Sequence, residues 1–365
     1  MIALLTQYYR GLGHSQRIKF IAEKIKNDVV ILDQLFAPPL EYSVPHESFL
    51  KDYKVTNVFS FIMREDLITY RIKSFLDAIE KYNIKTLVCE GFPFCRHQFA
   101  HEYIRYFDEC KKRGIKIIIS IRDFPWDEPH DWGLQDWVLY TQNIICKYYV
   151  DKILVHGDPE ILPLYTDRRR QANTKAIIDD LSEMIHYTGY VCDESMPLHK
   201  KKNNIIYVST GLNKEEGLLL FKSLLKIAKN FKDYTFIMSV ANRYIDTKTK
   251  QKGNVIMTEY IPELRKKLID CAAYITYGGY NATVEILQSR IPSIIIPRQD
   301  GQKMEQFMRA YTFEPYNFFK VVNLQELSSI EHTLRRVLLN KPNKFKFKLN
   351  GATESANVIK KIHYR

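Results

Sequence analysis

Tyr274-Ile275-Thr276-Tyr277-Gly278-Gly279-Tyr280-Asn281-Ala282-Thr283-Val284-Glu285 reads as a buried strand, a Gly-Gly turn and a helix that carries a carboxylate. A turn from strand to helix presents the N–H groups of the helix N-terminus, and the helix dipole favours an anion there. Glu285 follows the glycines by about two helical turns, roughly 9 Å along the axis at 1.5 Å per residue. That distance suits an acid that accepts hydrogen bonds from the ribose of a nucleotide whose diphosphate caps the helix. The same residues also read as an ordinary βα turn followed by a solvated glutamate. The segment alone leaves both readings open.

Around this turn the chain repeats one pattern. Strands are expected at Ile205 to Val208, Thr235 to Val240, Val255 to Met257, Ala272 to Tyr277 and Ser293 to Ile296. Helices are expected at Glu215 to Asn230, Glu263 to Ile269, Asn281 to Gln288, Met304 to Ala310 and Thr353 to Ile362. The first half alternates in the same way. Its strands are Ile2 to Gln7, Val29 to Leu32, Thr86 to Cys89, Lys116 to Ile121 and Lys152 to Val155. Its helices are Ser15 to Lys26, Leu67 to Tyr82, Phe99 to Arg113 and Leu134 to Tyr149. Alternation of this kind predicts parallel sheets with helices on both faces. The basic, proline-containing stretch after Gly189-Tyr190-Val191 reads as a linker. The expected organisation is α/β: a Rossmann-like domain over residues 1–192, a linker over 193–203, a second Rossmann-like domain over 204–350, and a terminal helix over 351–365 that packs back on the first domain. Ligands belong at the C-terminal ends of the strands, in a cleft between the two doubly wound domains.

The chain has 365 residues, 45% apolar and 26% charged, which is the composition of a globular protein of two domains. No segment is long and apolar enough to read as a membrane span or a signal peptide. The six cysteines are scattered without a CxxC pair, which predicts a reducing cytoplasm and no zinc site. A net charge of +12 is spread over Lys111-Lys112-Arg113, Arg168-Arg169-Arg170, Lys200-Lys201-Lys202, Arg265-Lys266-Lys267 and Lys341 to Lys348. It points to an anionic partner: a nucleotide, an anionic membrane surface, a phosphorylated lipid or a nucleic acid. A compositional bias towards lysine explains the same charge equally well. No recognisable nucleic-acid-binding module is present.

The first strand runs into Tyr8-Tyr9-Arg10-Gly11-Leu12-Gly13-His14-Ser15-Gln16-Arg17, a Gly-x-Gly turn opening a helix. It is half of a dinucleotide fingerprint, and Asp33 just past the second strand stands weakly where a ribose acid would be. His14 lies beside the helix N-terminus, where the dipole disfavours imidazolium. It reads either as a neutral base or as a capping histidine.

The loop Gly11 to Arg17 resembles that of glycosyltransferases related to the peptidoglycan N-acetylglucosaminyltransferase. So do Glu90-Gly91-Phe92-Pro93-Phe94, Ser120-Ile121-Arg122-Asp123, Thr258 to Pro262, Tyr277 to Glu285, and Pro297-Arg298 to Ala310. The similarity covers most of the chain and implies a two-domain GT-B fold that transfers a sugar from a nucleotide diphosphate sugar, with a UDP-sugar the expected donor. It implies donor contacts from Gly13, Ser209-Thr210-Gly211, Tyr260, Ile261, Gly278, Gly279, Tyr280, Asn281, Glu285, Arg298, Glu305 and Gln306. Tyr260 and Ile261 would line the base pocket, Glu285 would hold the ribose, and Glu305 and Gln306 would meet the sugar. Arg298 reads either as a phosphate contact or as a surface ion pair.

Transfer requires a stabilised diphosphate, a deprotonated acceptor hydroxyl and exclusion of water. No Asp-x-Asp motif offers a metal site, so helix N-termini and basic side chains are expected to replace a metal. No cofactor is expected beyond the nucleotide-sugar substrate. His14, Glu90 and Asp123 are the candidate bases. Either carboxylate alternatively orients His14, or pairs with Arg122 or Arg96. Arg10, Arg96, Trp126 and Trp132 are acceptor-side candidates, the tryptophans because aromatic faces stack on sugars or bases. Trp137, at helical spacing, reads as packing. Three alternatives stay open: an inverting transferase acting on a lipid-linked saccharide, small metabolite or modified nucleic acid; a UDP-sugar hydrolase like that of pseudaminic acid synthesis; and a non-enzymatic binding protein.

Overall fold

The computed structural model describes residues 1–8, 12–53, 59–123, 135–161, 175–176, 178–209, 214–239, 250–258, 261–298, 304–339 and 344–365. The described residues divide into two compact units, the first made of Met1–Ile161, the part between 175 and Glu194, and Lys348–Arg365, the second running from Ser195 to Phe347.

The first unit is a parallel sheet of β1 (Ile2–Thr6), β2 (Val29–Asp33), β3 (His46–Ser48), β4 (Thr86–Glu90), β5 (Lys116–Arg122), β6 (Lys152–His156) and β7 (Ile185–Tyr187). Their order is β3-β2-β1-β4-β5-β6-β7. Successive strand residues alternate between two cores. Ala3, Leu5, Val30, Leu87, Ile117 and Ile119 enter one, while Ile2, Leu4, Ile31, Val88 and Ile118 enter the other. Both faces are therefore covered, as a parallel sheet requires. The helices are α1 (Gly13–Ile25), α2 (Phe59–Ile62), α3 (Glu65–Lys81), α4 (Ala100–Lys112) and α5 (Gln135–Tyr149).

The second unit repeats the plan with β8 (Ile205–Ser209), β9 (Thr235–Ser239), β10 (Lys250–Lys252), β11 (Val255–Thr258), β12 (Ala273–Thr276), β13 (Ser293–Ile295) and β14 (Lys320–Val321). The order is β10-β11-β9-β8-β12-β13-β14, parallel except for edge strand β10. Its helices are α6 (Lys214–Ile227), α7 (Leu264–Leu268), α8 (Tyr280–Ser289), α9 (Met304–Phe313) and α10 (Ile330–Leu339). The stretch read as a linker is bonded to this unit. His199 N–H donates to the Ser289 carbonyl, Lys200 N–H to that of Ile269, and His199 Nε2 lies 2.7 Å from that of Cys271.

The terminal helix α11 (Gly351–His363) belongs to the first unit, where Ala352, Ala356 and Ile359 share a core with Ile18, Ile21 and Ala22 of α1. Small residues let the two helices approach. The entry to α11 is equally tight: a Cβ on Gly351 would lie 2.4 Å from the Gly189 carbonyl oxygen.

His156, at the end of β6, is wholly buried against Ser120 Oγ at 2.7 Å and Thr188 Oγ1 at 2.9 Å. Burial, with the Arg17 charge adding to it, holds its pKa well below the ordinary histidine value. The folded chain therefore leaves this ring neutral where the unfolded chain protonates it, below about pH 6.5. Stability should fall as pH drops below that value. Urea unfolding at pH 7.5 and 5.5 should show the loss, and His156→Gln should flatten it; an equal slope in the variant would assign the loss to other groups.

All six cysteines are buried. Burial pushes the Cys110, Cys146 and Cys271 thiols up to about 12, so they are core residues rather than nucleophiles.

Candidate active site

In each sheet the chain winds outward from a central strand, then returns to its other side. The reversal falls between β1 and β4 in the first unit and between β8 and β12 in the second. In doubly wound folds the ligand crevice opens beyond the carboxyl ends of such a strand pair.

In the first unit those ends hold a four-residue cluster. Glu90, the last residue of β4, is 2% exposed. Its Oε2 accepts from Thr6 Oγ1 of β1 at 3.2 Å. Its Oε1 lies 2.7 Å from His14 Nδ1 and meets the guanidinium of Arg17. His14 and Arg17 sit one turn apart on α1, so the helix start brings both to the carboxylate. A carboxylate only accepts, so His14 carries a proton on Nδ1, and the neutral ring then has its lone pair on Nε2. Arg17 and Glu90 are buried, whereas 22% of the His14 side chain remains accessible. The cation on Glu90 is thus Arg17. Arg17 lies on the apolar face of α1 beside Ile18 and Ile21, and that position was the overlooked signal.

Asp123 follows β5 and packs beside Gly157, where an added Cβ would come within 3.2 Å of the Asp123 Cα. Arg96 has a left-handed φ of 69° before the turn His97–Phe99. Asp33 does not serve as a ribose acid. It is buried at the end of β2, with Oδ2 2.8 Å from His46 Nε2, and burial raises its pKa. Arg10, Trp126 and Trp132 lie outside the described residues, as do Thr210, Gly211 and Tyr260 and the Arg168 to Arg170 cluster.

In the second unit the crevice lies between Ser209 and the Gly278-Gly279 turn. Ser209 Oγ is 2.6 Å from Tyr274 Oη and 3.2 Å from Thr276 Oγ1, so its hydroxyl ties β8 to β12. Gly278 has φ +77°, and a Cβ there would fall 2.7 Å from Ile295 Cγ2. Glycine is needed both for the left-handed backbone and for the approach to β13. Gly279 caps α8, followed by Tyr280 and Asn281 in its first turn. Glu285 is not simply solvated. The Arg265 Nε and Nη2 atoms both stand 2.9 Å from its Oε1. Arg298 is near enough to Tyr277 for its charge to oppose the rise that burial imposes on that phenol. Glu305 lies in the first turn of α9. The neighbouring Gln306 buries an Oε1 that has no hydrogen-bond partner among the described residues. Ile261 is buried.

Several of the basic residues have carboxylate partners: Lys112 and Arg113 share Glu109, and Lys202 meets Asp270, Lys266 Glu263 and Arg265 Glu285. Among the described residues no cluster of three or more histidine, cysteine or carboxylate groups is placed to hold a metal ion, and no helix is long and apolar enough to cross a membrane.

Residues 222–362 match the model of the glycosyltransferase family 28 C-terminal domain. That span contains the Gly278-Gly279 turn, Glu285, Glu305 and Gln306. The chain is a glycosyltransferase of the GT-B fold. It is 23% identical over 273 residues to the UDP-N-acetylglucosamine--N-acetylmuramyl-(pentapeptide) pyrophosphoryl-undecaprenol N-acetylglucosamine transferase of Thermosipho melanesiensis, over 72% of this chain and 79% of that one. Among solved structures, a variant of Os79 from O. sativa in complex with UDP superposes with a TM-score of 0.61 at 10% identity, covering 99% of this chain and 95% of that chain. Acinetobacter baumannii MurG gives 0.56 at 12% identity, covering 99% of both chains. At such identities the structural likeness speaks for the fold. In this glycosyltransferase the partners that sequence reasoning left without a role are Arg17, on Glu90, and Arg265, on Glu285.

Proposed function

We propose that this glycosyltransferase moves a sugar from a nucleotide diphosphate sugar, with UDP as the favoured nucleotide, to an acceptor hydroxyl with inversion and without a metal. The observation that carries this reading is the Gly278-Gly279 turn at the strand reversal of the second unit, inside the family 28 match. The start of α8 faces the diphosphate, Glu285 accepts from the ribose, and Glu305 and Gln306 meet the sugar. The orphaned Gln306 Oε1 supports the last role, because a buried acceptor without a partner is costly until a ligand donor reaches it. Arg298 and the helix dipole offset the charge of the leaving diphosphate.

His14 is the base. Glu90 acts through it, holding the proton on Nδ1 so that Nε2 receives the acceptor's proton. One attack from the face opposite the leaving group inverts the anomeric carbon. Asp123 is the remaining candidate base. Water would be deprotonated by the same dyad, so a nucleotide-sugar hydrolase is the second reading. A lipid-linked saccharide at an anionic membrane surface is the acceptor class that the basic charge favours.

Release of UDP from UDP-sugars should be measured with and without saccharide and lipid-linked acceptors, in excess EDTA. We expect acceptor-dependent release that survives EDTA. Rapid acceptor-independent release of free sugar would establish the hydrolase instead, and full loss in EDTA would overturn the metal-free mechanism.

A further inference from the structure

We propose that Arg309 is a positioning residue of the donor turn. It holds the Gly278 carbonyl, which sets the direction of the Gly279 N–H towards the diphosphate, and it ties that peptide to Glu305. The inference rests on the nucleotide-sugar reading above.

Arg309 lies on α9, one turn beyond Glu305, and is wholly buried. Its Nη1 donates to the Gly278 carbonyl oxygen at 3.3 Å. Its Nη2 stands 3.8 Å from Glu305 Oε2, and its guanidinium carbon lies 5.6 Å from the ring centroid of Tyr280. One cation thus reaches the turn, the first residue of α8 and the acid assigned to the sugar.

A trans peptide is planar, with its C=O and N–H on opposite sides. Fixing the Gly278 carbonyl on Arg309 therefore sends the Gly279 N–H the other way. The constraint matters at this peptide because glycine samples positive and negative φ almost equally, so a Gly-Gly peptide left unanchored has more orientations to choose from. A peptide dipole aimed in advance stabilises developing charge without reorganising during the reaction. Arginine suits the task better than lysine. Its planar fork serves a carbonyl and a carboxylate at once and lies against an aromatic face, whereas an ammonium is a compact point charge.

The test compares wild type, Arg309→Gln and Arg309→Lys in the full chain. Binding of UDP and of uridine is measured by calorimetry and ligand-detected NMR, with dTDP and thymidine as a second pair. Circular dichroism checks the fold. Arg309→Gln should weaken the diphosphate by about 10–100-fold, the range of a hydrogen bond to a charged group. It should leave the nucleoside within about twofold, and raise the donor KM more than it lowers kcat. Arg309→Lys should recover part of the loss. Equal weakening of nucleoside and diphosphate would mean a merely structural role, and unchanged diphosphate affinity in either folded variant would refute the positioning. Wild type that binds neither diphosphate would instead remove the nucleotide reading itself, and this inference with it.

Discussion

His14→Ala should lower kcat by about 10²–10⁴-fold, the range over which a positioned general base acts. The donor KM should change little, because the nucleotide contacts proposed above, apart from the backbone of Gly13, belong to the second unit. The melting temperature should hold, since His14 is partly exposed while the buried members of its cluster, Arg17 and Glu90, still pair. The expectation extends to a cycle. Glu90→Gln leaves an amide oxygen that can accept from His14 Nδ1 but removes the negative charge that stabilises the imidazolium formed when the base takes its proton, so kcat falls in the same direction. It also takes the ionised partner from the Arg17 guanidinium, so stability falls as well. The double variant should be scarcely slower than His14→Ala alone, since residues that act as a unit are strongly non-additive. Steady-state kinetics on the three variants checks this. Additive losses would place Glu90 in a separate role, and near-wild-type turnover of His14→Ala would make His14 structural and pass the base to Asp123.

The sheets were legible because their signals are long-range averages. Ile117 to Ile121 is continuously apolar apart from Ser120, as a strand buried on both faces must be, and the apolar stripes of α1 and α4 repeat at helical spacing. Short edge strands carry no such average. β3 (His46–Ser48) and β14 (Lys320–Val321) are half-buried and two or three residues long, so only their pairing reveals them. α10 went unread although Ile330, Leu334 and Val337 do repeat, because the 3-10 turn Leu324–Ser329 runs straight into it. In the site, the glycines and His14 announce themselves by local spacing. Their partners do not. Arg17 for Glu90, Arg265 for Glu285 and Arg309 for Gly278 come from other elements, where nearness in sequence gives no guide. What local reading does leave visible is misplacement. A charged residue on the apolar side of a helix, such as Arg17 on α1 or Glu102 on α4, signals a buried ion pair.

Glu102→Ala should destabilise the first unit by about 3–5 kcal/mol, the cost of removing one partner of a buried ion pair. Arg71 and Glu102 are 0% and 1% exposed. Arg71 Nε donates to Glu102 Oε2 at 2.8 Å and Nη2 to Oε1 at 2.6 Å, while Nη1 reaches the Ile62 carbonyl at 2.8 Å. Without the carboxylate the guanidinium keeps one acceptor of three and cannot shed its charge, because arginine does not deprotonate in proteins. Gln34 Nε2 and Tyr106 Oη lose the same acceptor, at 3.1 and 3.3 Å. For a unit of this size the loss corresponds to a fall of about 6–20 °C in melting temperature. Arg71→Met/Glu102→Met removes both charges and should be milder than Glu102→Ala, although the Gln34 and Tyr106 donors still lack a partner. The damage reaches the site along the strands. Gln34 follows β2 and bonds Gln7, which follows β1 and donates to Tyr103 Oη at 2.9 Å, and the residue before Gln7 is Thr6, the hydroxyl on Glu90. At temperatures where Glu102→Ala remains folded, kcat should therefore fall while the donor KM stays close to wild type. Thermal unfolding followed by kinetics well below the midpoint separates the two effects. A double variant as unstable as Glu102→Ala would show that the lost polar acceptor, rather than the unpaired charge, sets the cost.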